Sequence, residues 1–489
     1  DNADLRVSGS IYTPGISLSN NDAGSNNTIF GLNAGAAVAS GCNTNVLVGE
    51  EAGNDLNAGD NNVFIGYQAG DKTTAAGDCV IIGSLAGGAI MTDDADGSVF
   101  VGKEAGAAIT SGEDNIAIGK KALSSEDDGD GTVAIGFMCL GDQTGVTGDV
   151  FNTAVGTKAG KDLTTTNVDE TVIIGQGAGA ANMTADADGT IAIGAGAGAA
   201  ITSGIGNTCV GYNALDVEDD GDQNTALGYK ALTAQTGTTG EVGNTAVGYQ
   251  AGQFITTATG CTFVGNQCGQ GVGATKLTGN NNTGLGSDAG LLLRGAAHSN
   301  TFIGATAGDV TTTGVENTCL GFNADIQDAT ATNQVVIGNN ITGTKDNAVF
   351  IGNDTSHIEN DFNSDATWNH SSDVRQKTNI QDDTLGLDFI SNLRTVTYSH
   401  KSPSEFPQEW TAYDPDDTTP MGGGKTIHGF IAQEVKEALD TAGCETFSGW
   451  SVDPDGRQRV SFEAFVMPLI KAVQELSAKV EELEAKLED

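Results

Sequence analysis

Asn-Thr-Ala-Val-Gly-Tyr-Gln-Ala-Gly, residues 244–252, is one copy of a motif that runs through most of the chain. With Gly248 taken as position zero, the same pattern returns from Gly31, Gly49 and Gly66 through to Gly338 and Gly352, at a mean spacing of about 18 residues. Three columns hold it together. The position three before the glycine is Val, Ile or Thr in every copy, as in Thr28, Val46, Val63, Val80, Val335 and Val349. The position just before the glycine is always large and apolar. The position three after it is Ala or Cys until the last two copies. The first two columns define a short strand with a period of two. The glycine permits a sharp turn or a close backbone approach, and the alanine column predicts a segment packed where only a methyl fits. A period this short, rich in β-branched residues, predicts one solenoid coil per repeat over residues 26–353.

The column ahead of the strand is most often Asn, as in Asn27, Asn45, Asn62, Asn115, Asn207, Asn224 and Asn317. Stacked coils would turn these side chains into a ladder that caps the turns. Open strand edges are then expected only at the two ends.

Composition agrees with a repetitive structural chain. Glycine supplies 70 of 489 residues and proline only 7, and the glycines do not recur every third residue, which excludes collagen. Hydrophobic residues make up 38% and recur in register, which argues against disorder. The formal net charge of −42 speaks against nucleic acid as a partner, because phosphate binding needs clustered Lys and Arg. No apolar run is long enough to span a membrane. The chain starts at Asp1 without a methionine, as a removed signal peptide or a fragment would.

Eight cysteines are spread singly, with no zinc spacing. Cys139 and Cys268 fall in the small column, Cys209 and Cys319 inside the strand, Cys79 and Cys261 in the Asn column. Buried free thiols are expected, with a Cys261–Cys268 bridge as the alternative.

A second period overlies the first. GAAITSG occurs at 106–112 and again at 198–204, an offset of 92 residues, and Asp94 and Asp96 recur as Asp186 and Asp188. Asp127, Asp128 and Asp130 recur as Asp219, Asp220 and Asp222. These acids read as rim loops of the solenoid. Carboxylates at Asp94, Asp96, Asp186 and Asp188 are the candidates for calcium, with solvated acidic loops as the other reading; no other cofactor is expected. Tyr212, Tyr229 and Tyr249 follow the glycine in three consecutive copies. They are candidates for stacking on a glycan, or else support neighbouring coils or a subunit contact.

The strand, glycine and small-residue columns resemble the repeats of trimeric autotransporter adhesin heads and viral fibre shafts. That resemblance implies a parallel β-roll with three chains side by side; a triple helix of interwound chains is the alternative.

The repeat stops at Asn353. Residues 354–371 are polar and without period, and read as a linker; residues 1–25 read as an entering strand or attachment segment. From Ser372 the composition changes to ordinary mixed sequence. Helical spacing is seen at 384–393 and 429–439, and strand alternation at 394–399. From about Ser461 a last helix carries Leu469, Val473, Leu476, Val480, Leu483 and Leu487 in an alternating 4-3 spacing. That is a coiled-coil seam for a trimer, unless the helix packs it within its own domain.

Between shaft and domain stands SSDVRQKTNI, residues 371–380. A serine hydroxyl attacks only when a base takes its proton, and Lys377, if desolvated to the neutral amine, is such a base for Ser372. His370 is a rival base. SDVRQKTNI resembles the opening motif of the intramolecular chaperone auto-processing domain, the peptidase S74 family. LDFISNLRTVTYS, HGFIAQEV and the final FVMPLIKAVQELSAKVEELE follow in that family's order. The resemblance implies a homotrimer whose residues 372–460 and helix 461–489 assist folding. It further implies a cut between Ser371 and Ser372, with Ser372 as nucleophile, Lys377 as base, and Asp373, Arg375 and Asn379 as support. The setting it implies is a phage tail fibre, on a virion tail or outside the cell. Its partners would be an anchoring protein on the virion or cell surface and a cell-surface glycan or protein receptor. A bacterial surface adhesin, or a polysaccharide-degrading tailspike, are the alternatives.

Overall fold

The computed structural model describes residues 18–19, 24–144, 147–163, 168–184, 187–236, 240–362 and 372–488. The chain divides into two compact units, Asp1–Ser371 and Ser372–Asp489.

The first unit is a long parallel β-solenoid of about eighteen coils. Each repeat supplies a short strand, and successive strands of the same chain pair in register: Val63 faces Val80, which faces Val99, which faces Ile116. The coils are therefore closed by one chain, not interwound from several. In each three-residue strand the middle side chain points into the coil, as in Val63–Ile65, where Phe64 is fully buried. The Val/Ile/Thr and large apolar columns, which make the pattern visible in the sequence, flank that residue and face outward.

The core column mixes large and small residues, and several coils compensate within themselves. Where the middle residue is Phe64, Phe100, Phe263 or Phe302, the position four after the glycine is Gly: a Cβ on Gly106 would lie 2.7 Å from the Phe100 ring. Where the middle residue is Ala117, that position is Leu123, fully buried and held at φ 49°. Close packing forces this exchange, since a void or an overlap of one methyl group already costs of order 1 kcal/mol.

The glycine at position zero is required by contact. Gly248 sits at φ +139°, and a Cβ there would come 2.2 Å from the carbonyl oxygen of Gly265 in the next coil. The Asn column does what its spacing predicts. Asn244 Oδ1 accepts from Cys261 N at 2.8 Å, and Asn244 Nδ2 donates to Ala258 O at 2.7 Å. Each buried amide thus satisfies two backbone groups of the following coil, which water does not reach. All seven solenoid cysteines are buried free thiols, Cys261 and Cys268 included.

Both ends of the stack are closed by antiparallel strands. Leu18–Ser19 pairs with Thr28–Phe30, and Ser356–Asp361 with Ala348–Asn353. The second of these lies where the sequence suggests a linker. Its polar residues hide its period, and its acids Glu359 and Asp361 both face Lys345 at 3.7 Å. A charged, antiparallel last strand blunts the edge that a bare parallel stack would offer.

The second unit is α+β. Helix α1 (Leu387–Ser391), α2 (Ala432–Thr441) and α3 (Val466–Glu488) accompany two antiparallel strand pairs, Val396–Tyr398 with Ile427–Gly429 and Trp450–Val452 with Gln458–Val460. Its core is small: Leu385, Phe389, Val435, Ala438, Leu439 and Phe465.

Candidate functional site

Residues 372–379 form one tight structure. Asp373 caps a single 3-10 turn, Val374–Gln376, by accepting from the Arg375 backbone N–H at 2.9 Å. The Arg375 guanidinium grips the same carboxylate with Nε at 3.0 Å and Nη2 at 2.6 Å, which holds Asp373 below the usual carboxylate range. The turn closes when Lys377 N donates to Val374 O at 3.1 Å. It swings the lysine back so that Nζ lies 2.6 Å from Ser372 Oγ. Asn379 follows at φ 55°, a left-handed position that Asn tolerates better than most residues.

Ser372 and Lys377 are solvent-exposed in the single chain. Two aliphatic side chains beside them, Val374 and Ile380, are 67% and 65% exposed. Ser371 and His370 lie outside the described residues.

The helix seam is equally bare. α3 packs on its own unit through Pro468 and Ala472, while Leu469, Val473, Leu476, Val480, Leu483 and Leu487 are all exposed. The seam is not used within its own unit. One side chain of α3 was not legible as functional: Glu475 Oε2 accepts from Leu387 N at 2.7 Å and so caps the N-terminus of α1. Gly386 leaves room for it, since a Cβ there would meet the Glu475 carboxylate at 2.3 Å. Nothing in the local sequence links positions 88 residues apart.

On the solenoid, Tyr212, Tyr229 and Tyr249 stack on one another with ring centroids 5.4 and 5.2 Å apart, nearly parallel. Their faces cover each other, leaving edges and the two end faces to a ligand. The rim acids are engaged with backbone. Asp96 accepts from Gly77 N at 2.6 Å and Asp188 from Asp169 N at 2.9 Å, while Asp94 is exposed and Asp186 lies outside the described residues. Among the described residues, the three carboxylates that converge within 4.8 Å are Glu218, Asp219 and Asp220. Glu218 is fully buried, accepts from Gly221 N at 2.9 Å and from Gln235 Nε2 at 2.7 Å, and so serves as a loop cap. Its counterpart Glu126 sits at the same 92-residue offset as the aspartates beside it, the signal that marks both. Burial pushes the Glu126 carboxyl up.

The fold and this turn define a repetitive β-solenoid protein that ends in a small domain opened by a Ser/Lys pair. Residues 372–444 match the Peptidase_S74 family, described as chaperone of endosialidase, and the C-terminal unit carries a domain of that family. Neither a curated protein nor a solved structure matches the chain. Among the described residues no helix is long and apolar enough to cross a membrane.

Proposed function

We propose that the chain is the subunit of a homotrimeric fibre of the phage tail-fibre type, and that its C-terminal unit drives assembly and is then released by one cut between Ser371 and Ser372. The observation that carries this is the 2.6 Å contact from Lys377 Nζ to Ser372 Oγ inside the chaperone domain. The domain's position after a monotonous shaft supports the assembly role. Near-identical coils pair almost equally well one coil out of register, and long parallel stacks fold slowly with edges exposed. Three C-terminal helices joined along the bare seam fix chain number and alignment first.

Assembly also completes the chemistry. A lysine in water stays an ammonium and takes no proton; neighbouring copies packed over Val374 and Ile380 exclude that water and favour the neutral amine. Lys377 then takes the Ser372 Oγ proton, and Oγ attacks the carbonyl carbon of residue 371. The C–N bond breaks as the proton passes to the Ser372 nitrogen, leaving an ester. Water hydrolyses the ester, giving a carboxylate at Ser371 and restoring the Ser372 hydroxyl. The released shaft is the part that meets a receptor, a cell-surface glycan or protein, and an anchoring protein of the virion.

The test is expression of the full chain beside Ser372→Ala and Lys377→Ala, read by intact mass. The expected result is two pieces, ending at Ser371 and starting at Ser372, for the wild type, and whole chains for both variants. Hydroxylamine should speed the wild-type cut by capturing the ester. An intact wild type in a folded trimer overturns the self-processing reading.

A further inference from the structure

We infer that the outward face of the solenoid's strands is the surface on which copies of the shaft pack against one another along their length. The inference deepens the homotrimer reading proposed above and rests on it. Two columns make this face: the residue three before each ladder glycine and the residue just before it. The first holds only Val, Ile and Thr; the second holds only Val, Ile, Leu and Phe. Neither column contains a single charge, from the coil of Thr28 to the coil of Ile351, in a chain of net charge −42. Burial inside the coil does not account for this: Phe30, Ile65, Ile118, Leu227, Leu285 and Leu320 of the second column are 37–47% exposed, and the rest of both columns is mostly half-buried, with Val349 covered at the end of the stack.

Size separates this strip from ordinary surface. Parallel strands lie ~4.8 Å apart, so the stack is on the order of 90 Å long. At ~10 Å wide its footprint is on the order of 900 Å², with Thr methyls and hydroxyls at nine of the nineteen positions of the first column. A face of this extent without a charge is unusual on a monomer, and ~800 Å² per partner is what a stable interface uses. The shape names the occupant. A partner must run the full length of the shaft and offer apolar groups at the same ~4.8 Å repeat. A second copy of this chain does both.

The strip also lacks register marks of its own, since each coil repeats the last. Those marks stand beside it, in the column after the glycine. Bulky Tyr67, Phe137, Tyr212, Tyr229, Tyr249 and Phe322 are exposed there, at uneven intervals along the stack. Copies aligned by the C-terminal unit bring like rings to like levels, and a one-coil slip does not.

The buried native thiols make the test selective. Full-length Ile118→Cys and, as a control on the exposed rim, Asp93→Cys are assembled and treated with a maleimide; Cys444, the one partly exposed native thiol, is common to both. Expected is labelling of Ile118→Cys at least about tenfold slower than of Asp93→Cys, because reaction needs the contact to open. A short bis-maleimide should also join copies through residue 118. If Ile118→Cys loses its β signal, Thr225→Cys in the adjoining column gives the same measurement. Equal labelling in a protein that sediments as a trimer overturns the inference and leaves the homotrimer standing, whether the strip is then bare or awaits a glycan or another protein. Sedimentation as a monomer overturns both.

Discussion

The two units bury their apolar residues in opposite ways. In the solenoid each coil closes over its own middle column, and Phe64, Phe100, Phe263 and Phe302 are fully buried by the chain that carries them. At ~2–3 kcal/mol for each such ring, stability accrues coil by coil. The C-terminal unit has a small core and leaves Leu469, Leu476 and Leu483 about half exposed on one helix face. One region completes itself; the other leaves an apolar helix face unfinished when alone. The division agrees with the proposed order, in which the C-terminal unit assembles first and is then cut away.

The comparison breaks most plainly at the seam. Leu476→Asp is expected to abolish trimers, seen as monomers or aggregates in sedimentation, while the unit's own helices persist in circular dichroism, because Leu476 touches solvent in the single chain. Retained trimers would move the burden of assembly to the shaft. Next comes the glycine ladder. Gly248→Ala places a Cβ 2.2 Å from the Gly265 carbonyl, at φ +139°, and should cost about 4 kcal/mol or more. Hydrogen exchange should show the loss confined to coils around residue 248, since each coil leans only on its neighbours. The amide ladder is third. Asn244→Ala strands the Cys261 N–H and the Ala258 carbonyl, for roughly 3 kcal/mol by the same readout.

Asp325 makes the solenoid's stability depend on pH. Burial, with Asp309 nearby, raises its carboxyl to about 6. The folded state therefore prefers the protonated form, against ~3.9 in an unfolded chain. Its contribution to stability is present below pH ~4 and is lost as pH rises through about 6. Asp325→Asn should raise the apparent Tm at pH 8, by up to ~2 kcal/mol in stability, and match the wild type near pH 4. Smallest is Glu475→Ala, which removes the carboxylate at Leu387 N and should cost about 1 kcal/mol in the C-terminal unit alone.

The solenoid was legible because its contacts are local and repeated. The Asn column announced the amide ladder, and the glycine column the close approach at Gly248, because each role admits few residue types. The Ser372–Lys377 pair was legible by motif, and Asp373 and Arg375 build the turn that brings the two together. The capping strand Ser356–Asp361 was not legible, because its residues are polar and occur once. Nor was the Glu475 cap on α1, which joins residues 88 apart and leaves no periodic trace.

The period, the strand positions and the need for glycine and asparagine are written in the residues themselves, since sterics and buried hydrogen bonds permit little else there. Which way each strand faces is settled by packing in the folded chain. A three-residue strand alternates once and reads the same from either side. The volume exchange between Phe100 and Gly106, or Ala117 and Leu123, puts the middle column inside and the conspicuous aliphatic columns out. Packing likewise decided that the seam of α3 stays bare, because Pro468 and Ala472 occupy the face that meets the domain.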